Sequence, residues 1–395
     1  MNKTSTKQVI FSTGFALFSM FFGSGNLVFP LKVGLDGTDS FFSAILGLNI
    51  GAVILPLAAM LALMTTRGST KQFLKPLGLF PTLLITGIAL SFMGPFGVVP
   101  RCITLARGAT SLLFNIQQTT IFNSLFALAY CLTIFVASYK KTKIIDIIGN
   151  LLTPILILSF VVLFIAGWSS SQNLTNGSIW HTDRFIESLH TGYMTMDVLA
   201  AIFFTSFIVS HLYDKLRDRK EDVVPAFLMS AGIATFILCS VNIVLSYLAN
   251  IYNDKLLNIN DESLLGEIAA LSLGSSAKIV MCVCVITATL TTTIILTRLF
   301  SDFLRDKILQ NKITDINCLL ISLAIAFPIS ILEFKQVNNF LGELISVMYP
   351  AILFLVINTI LKWRFNIPVL RLGFWAILII KIANYFKYTT FLNWL

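Results

Sequence analysis

Residues 14–30 read GFALFSMFFGSGNLVFP, an apolar stretch with two glycines, a serine and an asparagine near its centre. Each glycine costs a helix interior about 1 kcal/mol relative to alanine, so Gly23-Ser24-Gly25-Asn26 is a weak point in a helix. In lipid, unwound backbone must be buried in protein or line a wet cavity. Freed amides there favour a carboxylate, and freed carbonyls favour a cation. The alternative is close helix packing through small residues.

The composition places the chain in a membrane. Of its 395 residues, 56% are hydrophobic and only 12% are charged, and the mean hydropathy is +0.85. A soluble domain carries roughly 25% charged residues. The net charge of +9 comes from Lys and Arg in short clusters between apolar runs. This pattern favours basic cytoplasmic loops over a nucleic-acid surface and predicts an all-α polytopic membrane protein.

The apolar runs predict about eleven transmembrane helices, since about 20 apolar residues cross the hydrocarbon core. They lie near residues 8–32, 40–64, 79–107, 119–138, 144–167, 190–212, 225–250, 275–299, 315–333, 339–361 and 369–387. We interpret residues 1–395 as one transporter domain with two five-span halves, 8–167 and 190–361, and an additional helix at 369–387. Because five is odd, the halves enter the membrane from opposite sides, an inverted repeat common among secondary transporters.

The loop charges predict the orientation. Basic clusters follow the second, fourth, sixth, eighth and tenth spans, whereas the segment 251–267 holds Asp254, Asp261, Glu262 and Glu267. Cytoplasmic loops carry an excess of Lys and Arg. We therefore expect a multi-pass protein of the bacterial inner membrane with a cytoplasmic N-terminus.

Two charges lie deep within predicted spans. Asp197 follows Gly192-Tyr193-Met194-Thr195-Met196 in the sixth span, and Arg101 follows Pro100 in the third. A carboxylate at the bilayer centre costs at least about 2.5 kcal/mol. Asp197 is thus a structural salt-bridge or helix-end residue, or it couples an ion or holds an unwound segment. Arg101 could pair with Asp197 or with Glu343.

The eighth span contains a cluster of hydroxyls. Ala288 is followed by Thr289, Thr291, Thr292 and Thr293. Hydroxyl and carbonyl oxygens are ligands for hard cations. The alternative is that each threonine bonds back to a carbonyl of its own helix.

These segments resemble a known family. The run from Gly14 to Pro30 is similar to the first-span signature of the branched-chain amino acid:cation symporters, and 192–200 to their sixth-span signature. Pro100-Arg101 and 290–292 resemble two other motifs. The resemblance implies the LeuT-like 5+5 inverted repeat of the amino acid–polyamine–organocation superfamily, with broken helices 1 and 6. It also implies uptake of Leu, Ile and Val coupled to Na⁺ or H⁺.

The resemblance also implies site residues. Amides of the first break would bind the substrate carboxylate, and the second break would help bind its amino group. The substrate set is Gly23, Ser24, Gly25, Asn26, Gly192, Tyr193 and Thr195. The Na⁺ set is Ser19, Phe22, Ala288, Thr291 and Thr292. Asp197 and Arg101 are coupling or structural charges. No cofactor is implied beyond Na⁺ as the coupling ion.

The sequence departs from the family in two ways. Family members have about twelve spans, and the twelfth is missing here. Many carry an acid shortly after the Pro-Arg pair, where this chain has Ala106-Arg107-Gly108. The second departure puts an ion-coupling role for that acid in doubt.

There are three alternatives to this predicted function. Another apolar amino acid such as methionine is the nearest alternative substrate. A membrane-embedded enzyme would need clustered carboxylates, a His-rich motif or a phosphate-binding sequence, and Gly23-Ser24-Gly25-Asn26 lacks the Lys-Ser/Thr of a P-loop. A channel would need a pore ring, and no span offers one.

Overall fold

The computed structural model describes residues 6–37, 40–139, 148, 152–169, 180–216, 219–256, 259–273, 277–366 and 370–392. Within these ranges the secondary structure is helical, with turns and no strand. Helices are what an apolar chain requires, because lipid offers no hydrogen-bond partner to an open backbone.

The helices of the first half begin at the N-terminus and end before residue 170. They are α1 Thr6–Phe21, α2 Ser24–Asp36, α3 Phe41–Asn49, α4 Leu55–Met64, α5 Thr70–Leu74, α6 Leu79–Met93, α7 Val98–Phe114, α8 Thr120–Ser138 and α9 Thr153–Ser169. A π-helical turn at Ile50–Ile54 joins α3 to α4.

The second half follows the same alternation of long helices and short connections. Its helices are α10 Thr182–Tyr193, α11 Asp197–Lys215, α12 Val223–Ile251, α13 Asn253–Leu256, α14 Leu264–Leu273, α15 Ala277–Phe303, α16 Asp315–Ile329 and α17 Phe334–Phe365, and the additional helix is α18 Arg371–Leu392.

Each predicted span falls on one or more of these helices. Seven spans are long and apolar enough to cross a membrane, and α1 with α2 makes an eighth when counted as one span, within the part of the chain that the structure describes. Residues 144–147 and 149–151 of the fifth predicted span lie outside the described residues, and a shorter apolar helix, Thr153–Val162, lies within the rest of it. The ninth predicted span coincides with another shorter apolar helix, Asp315–Ile329. The last coincides with α18.

The first span is broken where the glycines predict it. Helix α1 ends at Phe21, α2 begins at Ser24, and their axes differ by 67°. The Gly23 amide donates to the Phe21 carbonyl instead of continuing the α-helical pattern. The predicted break in helix 1 is confirmed.

The sixth span is also broken. Helix α10 ends at Tyr193 and α11 begins at Asp197, with Met196 between them in the left-handed region at φ 67°. A non-glycine residue is uncommon there, and such positions cluster at functional sites. The first half of this span begins at Thr182, earlier than the predicted residue 190. Its charges, Asp183, Arg184 and Glu187, kept it out of an apolar window.

The third span contains an interruption that the sequence prediction missed. Helix α6 ends at Met93 and α7 begins at Val98, with a turn over Gly94–Gly97 between them. A Cβ at Gly97 would stand 2.2 Å from the Phe92 carbonyl oxygen, so only glycine fits this turn. Arg101 therefore lies in the first turn of α7.

The helices form two groups, defined by their packing. The first group, which we call the bundle, comprises spans one, two, six and seven: α12 packs along both α1 and α2, α3 packs against α10, and α4 packs against α11. The second, which we call the scaffold, is built around α15, which packs against α7, α8, α9 and α16. The broken first and sixth spans thus belong to the bundle, and the threonine-rich helix belongs to the scaffold.

Helix α12 binds α2 through backbone oxygens. Ser246 donates to the Pro30 carbonyl at 2.8 Å, and Asn250 donates to the Gly34 carbonyl at 3.2 Å. A Cβ at Gly34 would stand 2.1 Å from the Ser246 carbonyl oxygen. Gly34 therefore allows two helices to approach more closely than any other residue would.

We expect Gly34→Ala to destabilise the protein by about 1–3 kcal/mol, because the added methyl group forces α2 and α12 apart. The matched control is Gly232→Ala in the same α12, where an added Cβ meets no atom within 4 Å. Thermal unfolding of the purified protein in detergent measures both. Equal midpoints for the two variants would contradict this packing.

Candidate functional site

The two helix breaks face each other across a small cavity. Its walls come from both breaks and from α6, α7, α11 and α15. They comprise Met20, Phe21, Gly23, Ser24, Gly25, Met93, Val98, Arg101, Thr195, Met196, Asp197, Ala200, Phe204, Thr292 and Leu296. The volume is about 20 Å³, room for roughly one water molecule. The breaks therefore lie close together in this conformation.

A hydrogen bond joins the two broken spans directly. The side-chain amide of Asn26 donates to an Asp197 carboxylate oxygen at 2.7 Å and to the Phe21 carbonyl at 2.9 Å. Both side chains are buried. Asn26 thus connects the end of α1 with the start of α11. Asp197 is the first residue of α11, and a negative charge is favoured at the N-terminus of a helix.

Arg101 connects three elements. Its side chain is 0% exposed. Its Nε donates to the Ser24 hydroxyl at 3.0 Å, and its Nη1 donates to the Met194 carbonyl at 2.9 Å. Longer contacts reach the Thr195 carbonyl at 3.5 Å and the Asn338 side-chain oxygen at 3.4 Å. One guanidinium therefore satisfies carbonyls that the second break leaves outside any helix.

The tenth span contributes residues that sequence reasoning missed. Tyr349 of α17 is buried, and its hydroxyl accepts a hydrogen bond from the Val198 amide at 3.1 Å. This bond satisfies one of the amides that the start of α11 leaves open. The Tyr349 ring also packs against that of Tyr193 in a tilted arrangement, with 5.3 Å between ring centroids. A lone tyrosine in an apolar span carries no sequence signal for this role.

The threonines of α15 contact the end of α1. Thr291 Oγ1 lies 2.8 Å from both the Ser19 and the Ala288 carbonyl oxygens. Thr292 Oγ1 lies 3.1 Å from the Met20 carbonyl oxygen and 3.3 Å from that of Ala288. Two hydroxyls and carbonyls from two helices thus converge. Phe22 follows the last residue of α1, with its ring stacked on Phe18.

The structure separates the predicted substrate residues into two sets. Gly23, Ser24, Gly25 and Thr195 line the cavity. The other three are Asn26, Gly192 and Tyr193, which lie outside its lining. Gly192 packs against the second span, where an added Cβ would stand 2.9 Å from Gly51 Cα. The binding roles of all seven stay predictions.

A larger cavity lies beside the small one. Its volume is about 750 Å³, and its lining includes Lys71, Lys75 and Lys307 from the predicted cytoplasmic side. The two cavities have walls on the same helices: Phe203 faces the larger and Phe204 the smaller. The Phe204 ring packs edge-on against Phe21 at 5.2 Å. Both rings line the smaller cavity.

Comparison with protein families identifies the chain. A family described as branched-chain amino acid transport proteins matches residues 6–394. The chain belongs to this family. It is accordingly a multi-pass membrane protein of a branched-chain amino acid transport family, as the sequence resemblance indicated.

Individual relatives agree with this assignment. A protein of Staphylococcus epidermidis, named as a candidate branched-chain amino acid carrier, is 29% identical over 71% of this chain and 66% of its own length. A Staphylococcus aureus protein with the same description is 27% identical over 97% of this chain and 88% of its own.

Solved structures share the fold at low identity. A Na⁺-coupled sialic acid symporter is similar with a TM-score of 0.57 and 10% identity, covering 95% of this chain and 88% of that one. An Eremococcus coleocola manganese transporter reaches 0.61 with 14% identity over 98% and 94%. A nucleobase-cation-symport-1 transporter reaches 0.55 with 15% identity over 91% and 80%. The predicted LeuT-like fold is confirmed.

The Asn26–Asp197 bond can be measured by a double-mutant cycle. We expect Asn26→Ala and Asp197→Ala to show a coupling free energy of about 1.5–3 kcal/mol, since the bond involves a charged group. Unfolding of the single and double variants in detergent gives the value. Additive effects of the two substitutions would show that the breaks are not joined through this bond.

Proposed function

We propose that this protein is a secondary active transporter that imports leucine, isoleucine and valine by alternating access, coupled to Na⁺ or H⁺. The proposal rests above all on one observation: the two broken helices meet at a single buried cavity. Backbone groups left outside helices inside a membrane are tolerated where they line such a site. Membership of the family supports the choice of substrate class.

The cavity wall favours an aliphatic side chain. Eight apolar residues contribute to it: Met20, Phe21, Met93, Val98, Met196, Ala200, Phe204 and Leu296. An amino acid needs far more than about 20 Å³, so the breaks must separate to admit it. Methionine would meet the same apolar wall, and competition against labelled leucine by unlabelled valine, isoleucine and methionine distinguishes these substrates.

The contact of α1 with α15 supports cation coupling. We infer that Na⁺ is bound by the carbonyls of Ser19, Phe22 and Ala288 and by the hydroxyls of Thr291 and Thr292. Oxygen ligands of this type suit a hard cation. Because α1 belongs to the bundle and α15 to the scaffold, an ion between them would favour one relative position of the two groups. Coupling follows when substrate and ion favour the same position.

Charge and cavity positions support alternating access in a bacterial inner membrane with a cytoplasmic N-terminus. Lys32 of α2 forms an ion pair with Asp261 at 2.8 Å, in the acidic segment predicted to lie outside. The larger cavity lies among lysines predicted to be cytoplasmic. We infer a conformation closed outside, with its route to the cytoplasm blocked mainly by Phe21 and Phe204.

Uptake of radiolabelled leucine into proteoliposomes tests the proposal. We expect accumulation when a Na⁺ or H⁺ gradient is imposed and none when ionophores dissipate both. Applying each gradient alone identifies the coupling ion. Failure of leucine, isoleucine and valine to enter under either gradient would refute the function.

If Na⁺ is the coupling ion, we expect Thr291→Val and Thr292→Val each to raise the half-saturating Na⁺ concentration by at least about 10-fold, the loss of one ligand of about 1.4 kcal/mol. The control is Thr287→Val on the same helix, because the Thr287 hydroxyl bonds to the Val283 carbonyl of its own helix. Leucine uptake at graded Na⁺ measures all three. An equal shift in the control would argue against a cation at this place.

The Lys32–Asp261 pair gives a second prediction. Lys32→Asp should open the outer side and increase hydrogen–deuterium exchange in α2, because two carboxylates then oppose each other. Both side chains are partly exposed, so we expect the exchange rate to change by only about 1.4–5-fold, in line with about 0.2–1 kcal/mol for such pairs. The charge-swapped double variant, Lys32→Asp with Asp261→Lys, should restore protection. If Lys32→Asp alone leaves the exchange in α2 unchanged, the ion pair does not help to close the outer side.

A further inference from the structure

Arg101 carries a buried positive charge whose bonded partners are all neutral. Its hydrogen bonds reach a hydroxyl, two backbone carbonyls and an amide oxygen. It forms no ion pair with any residue that the structure describes, and the sequence prediction of a pair with Asp197 or Glu343 is not met. Glu343 instead accepts a hydrogen bond from Tyr385 at 2.8 Å. Buried charges are normally paired, because desolvation costs several kcal/mol per ion.

Asp197 shows the complementary property. Its carboxylate accepts from the neutral amide of Asn26, and it contacts no cationic side chain among the described residues. It is 3% exposed. The two opposite charges nevertheless line the same cavity. Neutral groups on other elements hold each of the two side chains in place. The fold therefore keeps the guanidinium and the carboxylate apart, without an ion pair between them.

A third feature strengthens the preference for an anion beside Arg101. Helix α2 begins at Ser24, directly at this guanidinium, and a Cβ at Gly25 would stand 3.0 Å from Arg101 Nη2. The N-terminus of a helix carries a partial positive charge and open amides. Guanidinium and helix end together make one positive region, opposite the carboxylate of Asp197.

We propose that Arg101 and Asp197 are the two charged subsites for the zwitterion, Arg101 binding the substrate carboxylate and Asp197 its ammonium group. This inference rests on the proposed function and deepens it. A zwitterion placed between the residues pairs both buried charges at once, in surroundings where Coulomb interactions are stronger than in water. When the two breaks separate, the cavity between Arg101 and Asp197 becomes large enough for the amino acid that pairs both charges.

The arrangement determines which ligands are recognised. A ligand must present a free carboxylate and a free ammonium a short distance apart, so α-amino acids fit. Leucinamide lacks the carboxylate, and 4-methylpentanoate lacks the ammonium group. We expect each to bind at least about 100-fold more weakly than leucine, because each leaves one buried charge unpaired.

The test measures the dissociation constants of leucine and of each analogue for every purified variant and compares their ratios. Such a ratio does not depend on the fraction of active protein. In Arg101→Gln, the 100-fold preference for leucine over leucinamide should fall below about 5-fold, whereas the preference over 4-methylpentanoate remains. In Asp197→Asn, the preference over 4-methylpentanoate should fall and that over leucinamide should remain. Arg101→Lys, which keeps the charge, should keep most of the discrimination and serves if the glutamine variant fails to fold.

Arg107→Gln is the matched control. Arg107 is a second buried arginine on α7, but its guanidinium donates to the Ser330 and Leu332 carbonyls beyond the end of α16, outside the cavity lining. Both preferences should be unchanged in it. Two results would overturn the inference. One is that Arg101→Gln binds leucine but keeps the preference over leucinamide, or that Arg101→Lys binds leucine but loses this preference. The other is that both Arg101 variants lose the binding of leucinamide as well as that of leucine. Wild-type protein that binds no branched-chain amino acid refutes the proposed function instead.

Discussion

Open backbone inside a membrane must be satisfied by protein, and Arg101 meets that requirement at the centre of this molecule. Its guanidinium bonds to Ser24 at the first break and to the carbonyls of Met194 and Thr195 at the second. Asn26 and Tyr349 satisfy groups on the other side of the second break. Without these partners, two interruptions in lipid-embedded helices would cost several kcal/mol for each unpaired group.

The same contacts differ between and within the two groups of helices. The breaks belong to the bundle, whereas Arg101 and the threonines of α15 belong to the scaffold. Contacts between the groups include hydrogen bonds, such as that from Thr291 to the Ser19 carbonyl, and aromatic packing, such as Phe22 against Phe160. Contacts inside the bundle are close and depend on small residues, as Gly34 shows against Ser246. Close packing inside the bundle is what alternating access would require of a group that moves as a unit around a central ligand.

The sequence allowed the fold to be predicted well where local chemistry decides it. Two glycines predicted the first break, and span counting with the family resemblance predicted the inverted repeat. The second break lies where the sequence predicts it, but its left-handed residue is Met196, and a methionine does not indicate that conformation. The helix before this break is charged, so a hydropathy window does not detect its start. The turn at Gly94–Gly97 has a local signal in its two glycines, but the apolar residues on both sides make the third span read as continuous. Tyr349 and Asn338 reach the site only through tertiary packing, which sequence spacing cannot reveal.

A structure of the protein with bound leucine tests the central claim most directly, because the claim is spatial. We expect leucine density between residues 22–25 and 194–197, with its carboxylate at Arg101 and its side chain against Phe21 and Phe204. Leucine density only in the larger cavity beside Lys71 and Lys307, with the two breaks still closed on each other, would contradict the account.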